Sequence, residues 1–236
     1  MTTTALITGA NKGIGFEIAR LLAARGVTAV VGARDEERGR AAAAELGQPY
    51  VRLDVTDESS VQAAAKWIGE EYGALDILVN NAGMTIWQED PRPSATTADI
   101  MRQTYEVNVF GVVTVTNAML PLLRRAPSAR IVNMSSELGS LHLALDPDSP
   151  FWPHNFMAYN SSKSALNMVT AAYAKELWDT PIKVNAANPG YCATDLNGHS
   201  GHRTAEQGAA IAVRLATLDA DGPTGTYQQD DGPVPW

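Results

Sequence analysis

Cysteine is almost missing from this chain. Cys192 stands alone among 236 residues, so no intrachain disulfide can form and stability must come from burial. A basic n-region is missing as well. Met1-Thr2-Thr3-Thr4 runs straight into a short apolar stretch, which predicts that no signal peptide is present. No apolar run approaches the ~18 residues that a membrane-spanning helix needs, so none is expected to cross a bilayer. Cations are in deficit. The formal charge of −8 argues against a general nucleic-acid role, because phosphate backbones call for a basic surface. Repeats, low-complexity tracts and linker-like segments are absent too, which predicts a single domain over 1–236. These absences point to a reducing, cytoplasmic setting and to a small-molecule partner, with no nucleic acid and no membrane.

What the chain does have is alternation. Ala5-Leu6-Ile7-Thr8 reads as a short buried strand, and the pattern from Phe16 to Ala24 reads as a helix. Further strands are expected at 27–31, 50–53, 75–79, 129–134 and 182–187, with 226–228 as a candidate last one. Helices are expected at 38–46, 57–72, 97–124, 159–178 and 204–217, and Pro91-Arg92-Pro93-Ser94 reads as a loop. This is the pattern of an α/β fold: one Rossmann-type doubly wound parallel sheet with helices on both faces. Ligands of such sheets bind outside the carboxyl ends of the strands.

The unusual residues collect at those ends. Between the first strand and helix lies Gly9-Ala10-Asn11-Lys12-Gly13-Ile14-Gly15. A glycine-rich turn at a helix N-terminus is an anion site, because the backbone can approach closely and free amides face the ligand. The spacing Gly9-x-x-x-Gly13-x-Gly15 departs from the usual Gly-x-Gly-x-x-Gly, and a tight turn without ligand is the plainer alternative. Strand two ends in Gly32-Ala33-Arg34-Asp35. A carboxylate here takes a ribose 2′-hydroxyl, whereas an arginine takes a 2′-phosphate. Arg34 and Lys12 therefore favour NADP(H) over NAD(H); Asp35 either caps the next helix, the plainer reading, or rescues NAD binding. Asp54, followed by Val55, stands where an adenine amino group can be read, and Asp57 starts a helix. After strand four, Asn80-Asn81-Ala82-Gly83 offers asparagines to satisfy strand-end backbone groups and a glycine for close approach. Asn108 lies inside an apolar helix. It either bonds a neighbouring carbonyl or holds a polar group or water near a reaction centre. Strand five ends in Ser135-Ser136, and strand six in Asn188-Pro189-Gly190.

The last of these clusters is Tyr159-Asn160-Ser161-Ser162-Lys163. On a helix, residues four apart share a face and lie ~6 Å apart along the axis. One positive charge at ~4 Å, with an effective dielectric near 20, is worth ~4 kcal/mol, or roughly three pK units. That would bring the phenol of Tyr159 towards neutral pH. Taken alone, Tyr-x-x-x-Lys is also an ordinary helix turn; its place after strand five, facing the other clusters, sets it apart.

Together these segments resemble the short-chain dehydrogenase/reductase family over nearly the whole chain. Thr8–Gly15 looks like its cofactor loop, Asn80–Gly83 like its strand-four motif and Asn188–Gly190 like its strand-six motif. The Asn11-Lys12 pair, Gly32-Ala33-Arg34 and the ending Pro233-Val234-Pro235-Trp236 look like its carbonyl-reductase branch, which generally uses NADPH. The resemblance implies a catalytic tetrad of Asn108, Ser136, Tyr159 and Lys163. It also implies cofactor contacts from Gly9, Asn11, Lys12, Gly13, Ile14, Gly15, Arg34, Asp54, Val55, Asn81, Ala82, Gly83, Tyr159, Lys163, Pro189, Gly190, Cys192 and Thr194. Tyr159 would protonate the developing alkoxide, Ser136 orient the carbonyl, Lys163 tune the tyrosine and bind the nicotinamide ribose, and Asn108 hold a linking water.

The chain also departs from the family pattern. Ser136 and Tyr159 are further apart than usual, so residues 143–155 resemble an insertion, though one much shorter than in the monomeric carbonyl reductases. A homo-oligomer, dimer or tetramer, and a monomer both stay open. Cys192 stands where the family usually has isoleucine or valine, and reads most simply as a small buried apolar residue.

Trp87, Leu138, His142, Trp152, His154 and Tyr191 follow the motif strands or precede Tyr159. They are expected to line the substrate pocket and to fit a bulky or aromatic carbonyl, or else to form a packed loop layer. His199-x-x-His202 has the look of a metal pair, but flanking glycines and the lack of clustered partners favour a solvated loop, and no metal is expected. Trp236 reads as a terminal anchor or as a contact to a neighbouring subunit. The reading as a whole is an NADPH-dependent carbonyl reductase. Its alternatives are an NAD-linked alcohol or hydroxysteroid-type dehydrogenase and a non-catalytic NADP-binding regulator.

Overall fold

Short apolar runs become strands here because helices cover them on both sides. The computed structural model describes residues 3–90 and 92–236. Met1 and Thr2, part of the stretch read for a signal peptide, and Pro91, in the loop at 91–94, lie outside them. The strands are β1 (Thr4–Thr8), β2 (Thr28–Ala33), β3 (Tyr50–Arg52), β4 (Ile77–Asn80), β5 (Arg130–Met134), β6 (Lys183–Ala187), β7 (Tyr227–Gln229) and β8 (Gly232–Pro233). The helices are α1 (Gly13–Ala23), α2 (Glu36–Leu46), α3 (Glu58–Tyr72), α4 (Ala98–Tyr105), α5 (Gly111–Leu123), α6 (Leu141–Ala144), α7 (Met157–Glu176) and α8 (Ala205–Ala216).

One eight-stranded sheet runs in the order β3-β2-β1-β4-β5-β6-β7-β8, parallel throughout except for the β7–β8 pair. Successive residues of β1 serve opposite layers. Ala5 and Ile7 pack with Ile18 and Leu22 of α1 and Ile211 and Leu215 of α8. Leu6 packs with Ile68 of α3, Met119 of α5 and Tyr173 of α7. All five residues of β1 and of β5 are buried, so neither strand shows the apolar–polar alternation of a half-exposed one, and β5 buries Arg130 and Asn133 along with its apolar residues. A fully buried Leu or Ile contributes ~1.5–3 kcal/mol by transfer alone. With β1 and β4 adjacent, the sheet reverses its strand order between them, and that crevice receives the glycine turn and Asn80–Gly83.

Three features differ from the expectations above. The helix expected at 97–124 is interrupted by a π-turn at Glu106–Phe110, where the Gly111 N–H bonds the Glu106 carbonyl. The chain end is a hairpin rather than a single strand, because Gly232 turns β8 back onto β7. And Ala98–Leu123, 26 residues, is long and apolar enough by length and composition to cross a membrane. Half of its most apolar stretch is buried: Val115, Met119 and Leu123 pack into the layer over the sheet. An apolar helix is what that layer requires.

Candidate active site

The crevice begins with a helix end left without a side-chain cap. Asp35, Asp57, Thr97 and Thr204 each accept a backbone N–H at the start of α2, α3, α4 and α8. At α1 the preceding residue, Lys12, supplies no such bond, and the first turn carries no acidic residue. The amides there are free for an anion. Gly9 (φ 65°) and Gly13 (φ 57°) adopt left-handed conformations that shape the turn, and a Cβ on Gly13 would lie 3.6 Å from Thr194. The turn is tied to β4. Thr8 Oγ1 accepts the N–H groups of Asn81 (3.0 Å) and Ala82 (2.9 Å), and Asn81 Nδ2 donates to the Thr8 carbonyl (2.9 Å). Behind it, Asn80 Nδ2 donates to Thr116 Oγ1 and to Asn133 Oδ1, and Asn133 Nδ2 to Thr170 Oγ1.

Asn108 sits in the π-turn and is fully buried. Its amide bonds a distant segment rather than its own helix: Met84 N–H donates to Oδ1 at 2.8 Å, and Nδ2 donates to the Met84 carbonyl (2.9 Å) and to Ser162 Oγ (3.0 Å). π-turns of this kind recur at functional sites. Gly83 threads between the groups of interest, since a Cβ there would lie 3.4 Å from Asn108 Oδ1 and 3.6 Å from Lys163 Nζ.

Tyr159 lies in the first turn of α7 and faces the carboxyl end of β5. Lys163, one helical turn on, is buried and donates to the Met134 carbonyl at 2.8 Å; its Nζ is 5.6 Å from the centre of the Tyr159 ring. The electrostatics depart from expectation. Burial drives the Tyr159 phenol up from 10.0 to about 12, opposed by the Ser136 hydroxyl and reinforced by the Glu137 charge. Burial also drives Lys163 down from 10.5 to about 8. Lack of solvent therefore dominates both groups, and the lysine, turned towards a carbonyl, is itself easier to neutralise. Ser136 Oγ accepts the Leu138 N–H (3.3 Å), and the deeper Ser135 donates to Asn167 Oδ1 (2.6 Å).

Ser135, Ser136 and Tyr159 open on a cavity of about 760 Å³, and Asn108 and Lys163 lie outside its lining. Of the sequence-predicted residues it is lined by Ile14, Trp87, Ser136, Leu138, His154, Tyr159, Pro189, Gly190, Tyr191, Cys192 and Thr194. Two expected pocket residues are elsewhere. His142 is exposed on α6, where its N–H meets the Trp236 carbonyl (3.3 Å), and Trp152 is exposed on the 143–155 loop. Two neighbours on that loop, Pro150 and Phe151, line the cavity instead, joined by Phe156. Sequence reasoning missed these, along with Thr85, Glu137 and Leu196. Of these, Glu137 alone had a signal, its position next to Ser136. Around the mouth, Trp87 Nε1 donates to the Leu196 carbonyl (2.8 Å), and its ring meets Phe156 edge to face at 5.1 Å. His199 pairs with Asp195 and His202 turns towards Tyr191, so the two imidazoles do not converge. Cys192 is buried, its thiol raised by burial and directed at the Pro189 carbonyl.

At the cofactor-selecting edge, Arg34 is exposed at the end of β2 and pairs with none of the described carboxylates. Asp35 is engaged: its carboxylate takes the Arg38 N–H and guanidinium, which hold it below its usual value. Lys12 pairs with Asp195, which lies in the chain between the lining residues Thr194 and Leu196. Asp54 accepts from both the N–H and the hydroxyl of Thr56, and Val55 packs on Gly111 of α5.

Comparison with known proteins gives a consistent result. The model of the short chain dehydrogenase family matches residues 3–205. Short-chain dehydrogenase anuI of Penicillium roqueforti is 41% identical over 226 residues, covering 90% of this chain and 87% of the relative. Carbonyl reductase (NADPH) 1 of Mus musculus is 33% identical, covering 98% of each chain. Among solved structures, NADPH-bound carbonyl reductase from chicken fatty liver superposes with a TM-score of 0.86 at 28% identity, covering 100% of this chain and 99% of the other.

Proposed function

This chain belongs to the short-chain dehydrogenase family of oxidoreductases, and we propose that within it the protein is an NADPH-dependent carbonyl reductase. The observation that carries this reading is a neutral phenol beside a hydroxyl on one cavity. Tyr159 and Ser136 both line it, and burial keeps the tyrosine protonated well beyond neutral pH. A group that holds its proton is suited to giving one to a developing alkoxide.

The residues present fit a nicotinamide dinucleotide. The uncapped start of α1 would take the pyrophosphate, Arg34 with Lys12 the 2′-phosphate, and Pro189–Thr194 would flank the nicotinamide. Asp35 is occupied by Arg38, which favours NADP over NAD. When bound, the cofactor supplies hydride to the carbonyl carbon. The protein's own part is geometry and a proton. Ser136 would bond the carbonyl oxygen and hold it towards Tyr159. Tyr159 would deliver the proton. Lys163, positioned by Met134, would steady the phenolate that follows, and Asn108 would fix the Met84 segment beside it. The Mus musculus relative, named as a carbonyl reductase using NADPH, supports a carbonyl substrate.

The test is NADPH oxidation against a panel of aldehydes, ketones and quinones, with Tyr159→Phe alongside. Turnover in the parent protein that is nearly abolished by Tyr159→Phe, with NADPH binding retained, is the expected result. An active Tyr159→Phe variant, or no turnover of any carbonyl by a protein that binds NADPH, would overturn the reading.

A further inference from the structure

The cavity is aromatic and apolar over most of its wall, and one carboxylate side chain stands in it. Glu137 is the only carboxylate among the lining residues, and no lysine or arginine lines the cavity. Among the described residues its carboxylate enters no ion pair. It is half-buried at the head of the short turn Glu137–Gly139, immediately after Ser136. Its charge reaches the reacting end of the cavity, contributing to the raised values of Tyr159 and Cys192. Partial burial of an unpaired carboxylate is costly, and a cationic ligand would remove that cost. The lining also carries Trp87, Phe151, Phe156 and Tyr191. Aromatic faces joined to one carboxylate form a receptor for an ammonium ion: the rings attract the cation's methyl or methylene shell and the carboxylate its charge.

We propose that this cavity takes a carbonyl compound bearing a positively charged amine, with the ammonium held by Glu137 and the carbonyl facing Tyr159 and Ser136. The inference rests on the carbonyl-reductase reading above and narrows it to a substrate class. Because Glu137 follows Ser136 directly in the chain, the amine stands within a few bonds of the carbonyl or on the same ring. The cavity's basic side chains are two imidazoles, His154 and His202.

The test uses two ketones of one shape and different charge, 4-acetyl-N,N,N-trimethylanilinium and 4-tert-butylacetophenone, at mildly alkaline pH. Their Kd values are measured on the protein with NADP+, which cannot reduce them, and their kcat/KM values with NADPH. The cation is expected to be preferred by about tenfold in both readouts, and Glu137→Gln to erase that ratio. In the parent protein the preference should also shrink as salt is raised, a check that needs no variant to fold. Equal or inverted affinity, or a preference that Glu137→Gln retains, overturns the proposal. Turnover of both ketones without preference sinks the amine inference alone. A Glu137-dependent binding preference with no turnover sinks the reductase reading and leaves the ammonium site standing.

Discussion

Asn108 clasps Met84 by both ends of its amide, accepting the Met84 N–H at 2.8 Å and donating to the Met84 carbonyl at 2.9 Å. The clasp needs one donor and one acceptor in fixed places. Asn108→Leu supplies neither and leaves buried backbone groups unmet, so it should destabilise the protein by about 1–3 kcal/mol. Asn108→Asp supplies two acceptors and turns one against a carbonyl, so it should not rescue. Urea unfolding of the two variants decides this; a stable Asn108→Asp would show that the clasp is not the source of the effect.

Lys163 and Tyr159 make opposite predictions for stability against pH. Lys163 falls from 10.5 to about 8 on folding, so between those values the unfolded chain holds a proton that the folded protein has lost. Stability therefore rises with pH from about 8, and below that the full penalty of a buried ammonium applies. Tyr159 rises from 10.0 to about 12, so its burial stabilises below pH 10 and that contribution is lost as pH climbs towards 12. Lys163→Met should accordingly be more stable than the parent at pH 7, by about 1–3 kcal/mol, with the advantage fading above pH 8. Thermal melts across that range read the crossover directly, and a Lys163→Met protein that is less stable at pH 7 would refute it.

The strands and the convergence of motifs on one edge could be read from residue type and period, because continuous apolar runs and glycine turns are local signals. The chemistry of the site was less accessible. Tyr-x-x-x-Lys places two side chains on one face of a helix, but it does not say that Lys163 turns to the Met134 carbonyl or that burial dominates the phenol. The loops were harder still. His142 and Trp152 looked like pocket residues by order in the chain, whereas Pro150 and Phe151 occupy the wall. The loop runs through successive tight turns, Ser149 N–H to Asp146, Trp152 N–H to Ser149 and His154 N–H to Phe151, and order in the chain does not say which turn residues face inwards. The π-turn at Asn108 was hidden because its residues are as helical by pattern as their neighbours.

Lys12 spends its charge on Asp195 in this structure. A 2′-phosphate would compete with that carboxylate. Asp195→Asn should free the lysine and tighten NADPH binding by about threefold at low salt, with the gain fading as salt rises and little change for NADH. In a Lys12→Ala background the same substitution should have no effect; a gain that persists there would mean Asp195 acts by another route.

Trp87 joins three segments around the cavity mouth. It lies after β4, its indole donates to the Leu196 carbonyl beyond β6, and its ring stands edge to face on Phe156 just before α7. The hydrogen bond and the ring contact are each worth about 0.5–1.5 kcal/mol. Trp87→Phe keeps the ring and loses the bond; Trp87→Ala loses both. If the tie holds the mouth around large substrates, KM for bulky aromatic ketones should rise about twofold to threefold in the first and about tenfold in the second. NADPH affinity should hold, because Trp87 touches the substrate side of the cavity, and small aldehydes should be spared, because they do not reach the rim. Steady-state kinetics with one large and one small carbonyl separates the cases. An equal rise in KM for both would mean that removing Trp87 lets the loops collapse, and that the tie shapes the whole site rather than its mouth.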